Sequence, residues 1–310
     1  MPERTDEQQA DFERALRSVA DENPLSAADL DALSVLEGAD FSAFEQVWGR
    51  LSAPARARLI RVLHGAAEQR LRLDFNRLNR LALEDPDAKV RLAGVECALE
   101  DNTPHLLDKL LALVRDDPDR DVRQAAAEDL ARFGLLAELG DLRTESTGRL
   151  RQRLLEVVHD AKEDDRVRAS ALAALGYFSD VEIMQELADA FTNPALRLGA
   201  VRGMGRSADP RWTDRLMPVL GSEDPRMRLE AARALGEIED ERAVSPLVEL
   251  VDDPVMDVRL AAIEALGHIG GEEAREALLY LVEDPDPTVK AAAEQALSDL
   301  EDAEGDPLEL

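Results

Sequence analysis

Cysteine occurs once in these 310 residues, at Cys97, so no disulfide can form within the chain. Aromatic residues make up only 4%, although hydrophobic residues reach 45%. A buried core must therefore be built from Leu, Ala, Val and Ile. That composition suits close-packed helices better than a β-sandwich, since strands draw on aromatic and β-branched side chains. No stretch approaches the roughly 18 uncharged apolar residues of a membrane-spanning helix. The opening MPERTDEQQADFERAL is charged and acidic and has no apolar signal-peptide core. A cytoplasmic location is the resulting expectation.

Positive charge is also scarce. There are 37 Lys and Arg against 66 Asp and Glu, a net charge of −29, and only Lys89, Lys109, Lys162 and Lys290 are lysine. Such a field repels phosphate backbones and anionic lipid, so neither nucleic acid nor membrane is expected as a partner. The acidity sits at the ends. Residues 1–49 carry 12 acids and 3 bases, residues 237–310 carry 22 and 4, and the middle is nearly neutral.

What is present is repetition. Prolines fall at 54, 86, 118, 194, 225, 254 and 285, with spacings near thirty and one long gap. That gap holds a copy without proline, EDDRVRASALAALG from Glu163 to Gly176, and a Gly/Thr/Ser-rich insertion near 135–147. Eight units result, the first degenerate. In one unit Val258, Ala261, Ala262, Ala265, Leu266 and Ile269 follow helical spacing, as do Val244, Leu247, Val248 and Val251 upstream. Asp253 and Pro254 between them read as the cap and first turn of the second helix. Gly267, like Gly176, Gly205 and Gly236, reads as a left-handed helix stop. Each unit is thus a pair of helices that cannot bury its apolar faces alone, and stacking copies makes the core continuous.

The pattern D-P-x-x-x-V-R-x-A-A-x-x-A-L-G resembles HEAT repeats, in particular the short HEAT-like repeats associated with phycobilisome lyases. The resemblance spans roughly Phe41–Leu300. It implies an all-α superhelical solenoid of about eight repeats; residues 1–40, outside the repeat, read as an N-terminal helical cap of two helices, the second capped by Ser26, and 301–310 as a disordered acidic tail. It also implies a non-enzymatic scaffold, monomeric or weakly oligomeric, holding another protein on its concave face. A bilin-lyase-like subunit is the alternative that the repeat subtype implies.

A recurrent arginine, Arg91, Arg123, Arg168, Arg197, Arg228 and Arg259, becomes Lys290 in the last unit. Its period matches that of the turn acids Asp87, Asp119, Asp165, Asp224, Asp257 and Asp286, so a structural ladder is expected. Catalytic motifs do not emerge. His64, His105, His159 and His268 are scattered singly, and none precedes the Glu that HEAT-like di-iron hydroxylases pair with histidine. Neither a C-x-x-C nor a phosphate-binding glycine loop occurs, so no cofactor or metal is expected. Cys97 fills a packed helical slot and reads as a buried thiol.

A partner site is expected on the second helices. Counted from the Val of each unit, position 6 reads Glu96, Glu128, Ala173, Arg202, Arg233, Glu264 and Gln295. Position 10 adds Tyr177, Arg206, Glu237 and His268, and position 2 contributes Leu198, Leu229 and Leu260. The central Arg202, Arg206 and Arg233 would meet an acidic or amphipathic partner segment, or an anionic ligand, and Trp212 is a candidate anchor beside them.

Overall fold

A computed structural model describes residues 5–70, 72–98 and 101–305. Among them every regular element is helical. Two compact units are present, Met1–Asp129 and Leu130–Leu310. The first contains α1 (Asp6–Ala20), α2 (Ala27–Leu33), α3 (Gly38–Trp48), α4 (Ala53–Gln69), α5 (Asn76–Leu83), α6 (Ala88–Glu96), α7 (Pro104–Asp116) and the start of α8 (Arg120–Glu138). The second continues with α9 (Thr144–His159), α10 (Asp165–Leu175), α11 (Val181–Ala190) and α12 (Arg197–Arg206). It ends with α13 (Thr213–Leu216), α14 (Pro225–Ile238), α15 (Val244–Leu250), α16 (Met256–Ile269), α17 (Glu272–Leu281) and α18 (Pro287–Gly305). No described helix is long and apolar enough to cross a membrane.

Local chemistry sets many helix starts. Thr5 and Ser26 each form a capping box, with Gln8 and Asp29, and so satisfy amides that the first turn leaves free. The cap helices α1 and α2 bury Phe12, Ala15, Val19 and Leu33 in the first unit's core. Asp224 caps α14, whose first residue is Pro225. The expected start of α16 is different: Val255 is its N-cap, and the Asp253 carboxylate accepts from the Val255 amide at 2.9 Å outside the helix.

The 135–147 insertion shrinks to a short connection, because α8 runs to Glu138 and α9 begins at Thr144. Gly140 makes the turn with φ +80°. Residues 301–305, expected in a disordered tail, complete α18, and 306–310 lie outside the described residues.

In the second unit the second helices α10, α12, α14, α16 and α18 pack in succession, with α9, α11, α13, α15 and α17 supplying the first helices. Val167, Leu172, Val201, Leu235 and Leu266 are fully buried between them. The repeat glycines are corrected here. None of Gly176, Gly205, Gly236 and Gly267 is left-handed; the left-handed residue at the end of α14 is Glu239. The glycines instead allow backbone contact between neighbours. A Cβ on Gly176 would lie 2.3 Å from the Gly203 carbonyl oxygen, and one on Gly199 would lie 2.2 Å from that of Ala169.

Two rungs of the arginine ladder close on aspartates of the next repeat's turn that were not among the acids expected. Arg91 donates from Nε and Nη2 to both oxygens of Asp117 at 2.7 and 2.8 Å, and Arg228 does the same to Asp253 at 2.6 and 2.9 Å. Each partner is the aspartate before the proline of the next repeat. The Nη1 of Arg91, Arg123, Arg228 and Arg259 donates to the carbonyl six residues earlier, at 2.8–3.0 Å. One guanidinium therefore ties its own turn to the next.

Other rungs vary with the residue available. Arg168 bonds the Val158 carbonyl and pairs with Asp165 at 3.1 Å, whereas Arg197 stacks over Phe191. Arg56, outside the expected ladder, donates from Nη2 to Asp85 Oδ1 at 2.9 Å. Its Pro54–Arg56 spacing differs from the three or five residues that separate proline and arginine in the other units, so periodicity did not point to it.

Two expectations follow. Gly199→Ala is expected to cost about 1–3 kcal/mol in urea unfolding, because it overpacks a backbone contact. Gly148→Ala, in α9 where a Cβ meets nothing within 4 Å, should instead gain up to about 1 kcal/mol. Arg228→Met should cost about 3 kcal/mol at pH 7 by stranding a buried carboxylate. The hydrogen bond from Arg228 outweighs burial and holds the Asp253 carboxyl below its usual range. Its contribution is therefore present above the unfolded carboxylate pKa and is lost as pH falls, so the mutant's deficit should narrow toward about pH 3.

Candidate partner-binding face on the second helices

The face lies within Leu130–Leu310, on the successive second helices α12, α14 and α16. Helical spacing places Arg202 and Arg206 one turn apart on α12, and Arg233 and Glu237 one turn apart on α14. Arg202, Arg206, Arg233 and Glu237 line one recess of about 230 Å3, together with Glu230 and Ala234. Arg233 and Glu237 also border a neighbouring recess of about 240 Å3 that takes in Glu264 and His268. The structure thus brings six of the expected polar residues onto one surface.

The basic character is partly neutralised from below. Arg202 Nη2 donates to Glu230 Oε1 at 2.6 Å, and Arg233 Nη1 lies 3.9 Å from the same oxygen. Glu230 is buried on α14, at a repeat position that holds Ala93, Gly199 and Ala261 in other copies. It was missed, although a carboxylate in a small-residue slot is a legible signal. The Arg206 guanidinium lies 5.6 Å from the Tyr177 ring centroid, a cation–π contact that leaves its donors available.

Glu237 is exposed as a residue, and its carboxyl lies against α12, where a Cβ on Gly205 would meet Oε2 at 2.5 Å. Desolvation pushes its pKa up, Arg206 opposes this, the nearby Glu230 adds to it, and His268 and Arg233 oppose it.

Several expected members belong elsewhere. Trp212 is buried at 6% exposure, donates from Nε1 to Ser207 Oγ at 3.1 Å, and has Arg215 over its ring. It is a core residue and no anchor. Leu198, Leu229 and Leu260 are half-buried, so each offers only an edge. Ala173, expected to face solvent, is buried because the glycines of α12 pack against α10. Cys97, in the other unit, is half-buried, and burial pushes its thiol up to about 11. Among the described residues no group of three or more His, Cys, Asp or Glu could hold a metal ion.

The HEAT-repeat sequence profile matches residues 76–176, 184–264 and 252–308. The chain belongs to the HEAT-repeat family. The profile does not distinguish the lyase subtype. No curated protein matches the sequence significantly.

Three solved structures illustrate its likenesses. Human deoxyhypusine hydroxylase in complex with glycerol is 17% identical, with TM-score 0.37, over 95% of this chain and 97% of that one. An engineered protein is 24% identical, with TM-score 0.42, over 63% of this chain and 98% of its own. A designed armadillo repeat protein is 20% identical, with TM-score 0.35, over 63% and 99%.

Because burial raises the Glu237 pKa, the folded state favours its protonated form. Its ionisation therefore weakens the fold as pH rises through the carboxylate range. Glu237→Gln should raise the melting temperature at pH 7, and the difference should close below about pH 4, as differential scanning fluorimetry would show.

Proposed function

We propose that this HEAT-repeat protein is a non-enzymatic scaffold that holds another protein against the second helices of its Leu130–Leu310 unit. The observation that carries this reading is the shared surface of Arg206, Arg233, Glu237, Glu264 and His268. It alternates charge across two adjoining recesses on successive helices. A row of this kind matches an extended or helical segment, one partner group per repeat, better than a compact ligand.

The partner segment is read as acidic or amphipathic. Arg206 and Arg233 supply donors, while the edges of Leu198 and Leu229 supply apolar contact. A free multivalent anion fits less well, since Glu230 and Glu237 share the recess with the arginines. No observation favours a chromophore here.

The test is a pull-down from the source lysate with the wild type and an Arg206→Glu/Arg233→Glu double variant. Arg202 is left intact because it pairs with buried Glu230. Both proteins must first melt at the same temperature. A partner retained by the wild type and lost by the variant is expected. A partner retained equally by both would overturn this placement of the site.

A further inference from the structure

The last two described helices, α17 and α18, carry side chains that break the repeat. Counted from the Val of each unit, position 5 is Leu172, Val201, Ala232 and Ile263 in α10, α12, α14 and α16, each fully buried. In α18 it is Glu294, which is exposed. Position 9 is glycine in the same four units, and a Cβ on Gly267 would lie 2.8 Å from the Ala296 Cβ. In α18 it is Ser298, also exposed. A further repeat stacked in register would bury a carboxylate and meet a side chain where the contact leaves no room for one. The α18 half of this end is therefore built as a polar cap.

The α17 half is not. Val248, six residues before the proline of its unit, is half-buried on α15, against which α17 packs. The equivalent residue on α17 is Leu279, and it is 56% exposed. The next position holds Asp189 and Glu249 in earlier units, whereas on α17 it is Tyr280, 80% exposed. Leu297 on α18 continues the pattern: its counterparts Leu235 and Leu266 are fully buried, but Leu297 is only half-buried. Adjoining apolar groups rimmed by charge are the mark of an interaction surface, and tyrosine is a frequent interface anchor.

The rim fixes the sign of the occupant. Helical spacing puts Glu276 one turn before Tyr280 and Glu283 one turn after Leu279, and both acids are exposed. Residues 271–302 hold ten acids and two bases. Both bases face acids, with Lys290 Nζ 3.9 Å from Glu294 Oε1 and Arg275 Nη1 4.0 Å from Glu301 Oε1. A second copy docking by this same end would set like charges against each other, and an anionic lipid surface would be repelled.

We propose that the α17–α18 end docks a basic amphipathic helix of a partner protein. Its apolar stripe lies on Leu279 and Tyr280, and its lysines or arginines face Glu276, Glu283 and Glu294. The site is separate from the face on α12, α14 and α16, and its partner carries the opposite charge from the acidic segment read there.

The experiment titrates the full chain into a fluorescein-labelled peptide made of two copies of LKKLLKL and follows anisotropy. It is run at physiological salt, where exposed charges more than about 8 Å apart are largely screened. Saturable binding is expected. A peptide with Ser in place of every Leu keeps the charge and should bind about tenfold more weakly or worse. Leu279→Ser/Tyr280→Ser alters only exposed side chains, so it should melt like the wild type and lose about tenfold in affinity for the Leu-Lys peptide. Glu276→Gln/Glu283→Gln should weaken binding as well. Absence of saturable binding would overturn the proposal. Equal affinity for both peptides, or affinity unchanged in Leu279→Ser/Tyr280→Ser, would overturn it by assigning the binding to bulk acidity. A dimer seen by analytical ultracentrifugation and abolished in Leu279→Ser/Tyr280→Ser would overturn it in favour of a second copy.

Discussion

The second helices of the Leu130–Leu310 unit touch backbone to backbone, and much of the unit's packing rests on that contact. Gly176 meets Gly203, and Gly199 meets Ala169, with no room for a Cβ between them. Alanines such as Ala171, Ala200, Ala231 and Ala262 fill the same layer, each fully buried. Helices this close exclude water without large side chains, which is how a chain with 4% aromatics builds a continuous core. Position 3 or 7 of each repeat must then stay small, and departures from that rule mark something else. Glu230 is the clearest departure, and it sits beneath the arginines of the candidate site.

The arginine rungs work on the turns at the helix ends. Arg91 with Asp117, and Arg228 with Asp253, each join a turn to the next by two charge-assisted bonds. The same guanidinium also satisfies a carbonyl of its own turn, so backbone and side-chain needs are met together. The rung fails to repeat identically because the acceptor that each arginine needs in the next turn, six residues before the following repeat's arginine, changes. It is Asp117 or Asp253 in some units, but Phe191 or Ser222 in others. Where the aromatic appears, Arg197 stacks instead. The period in sequence therefore outlasts the period in bonding.

The second-helix face is open, polar and spread over three helices, which suits a macromolecular segment.

Sequence periodicity by itself determined the helical class, the paired helices of each unit, the cap at Ser26, and the placement of Arg206, Arg233, Glu264 and His268 on one face. All of these depend on spacings of a few residues, which one helix resolves internally. Tertiary structure alone decided that Asp117 and Asp253 receive the arginines, that Trp212 and Ala173 are covered, and that the repeat glycines serve contact between helices. These pairings join residues about 25 or more apart or set the depth of a side chain in a stack. They follow from the rise and rotation between successive helices, which local spacing does not encode.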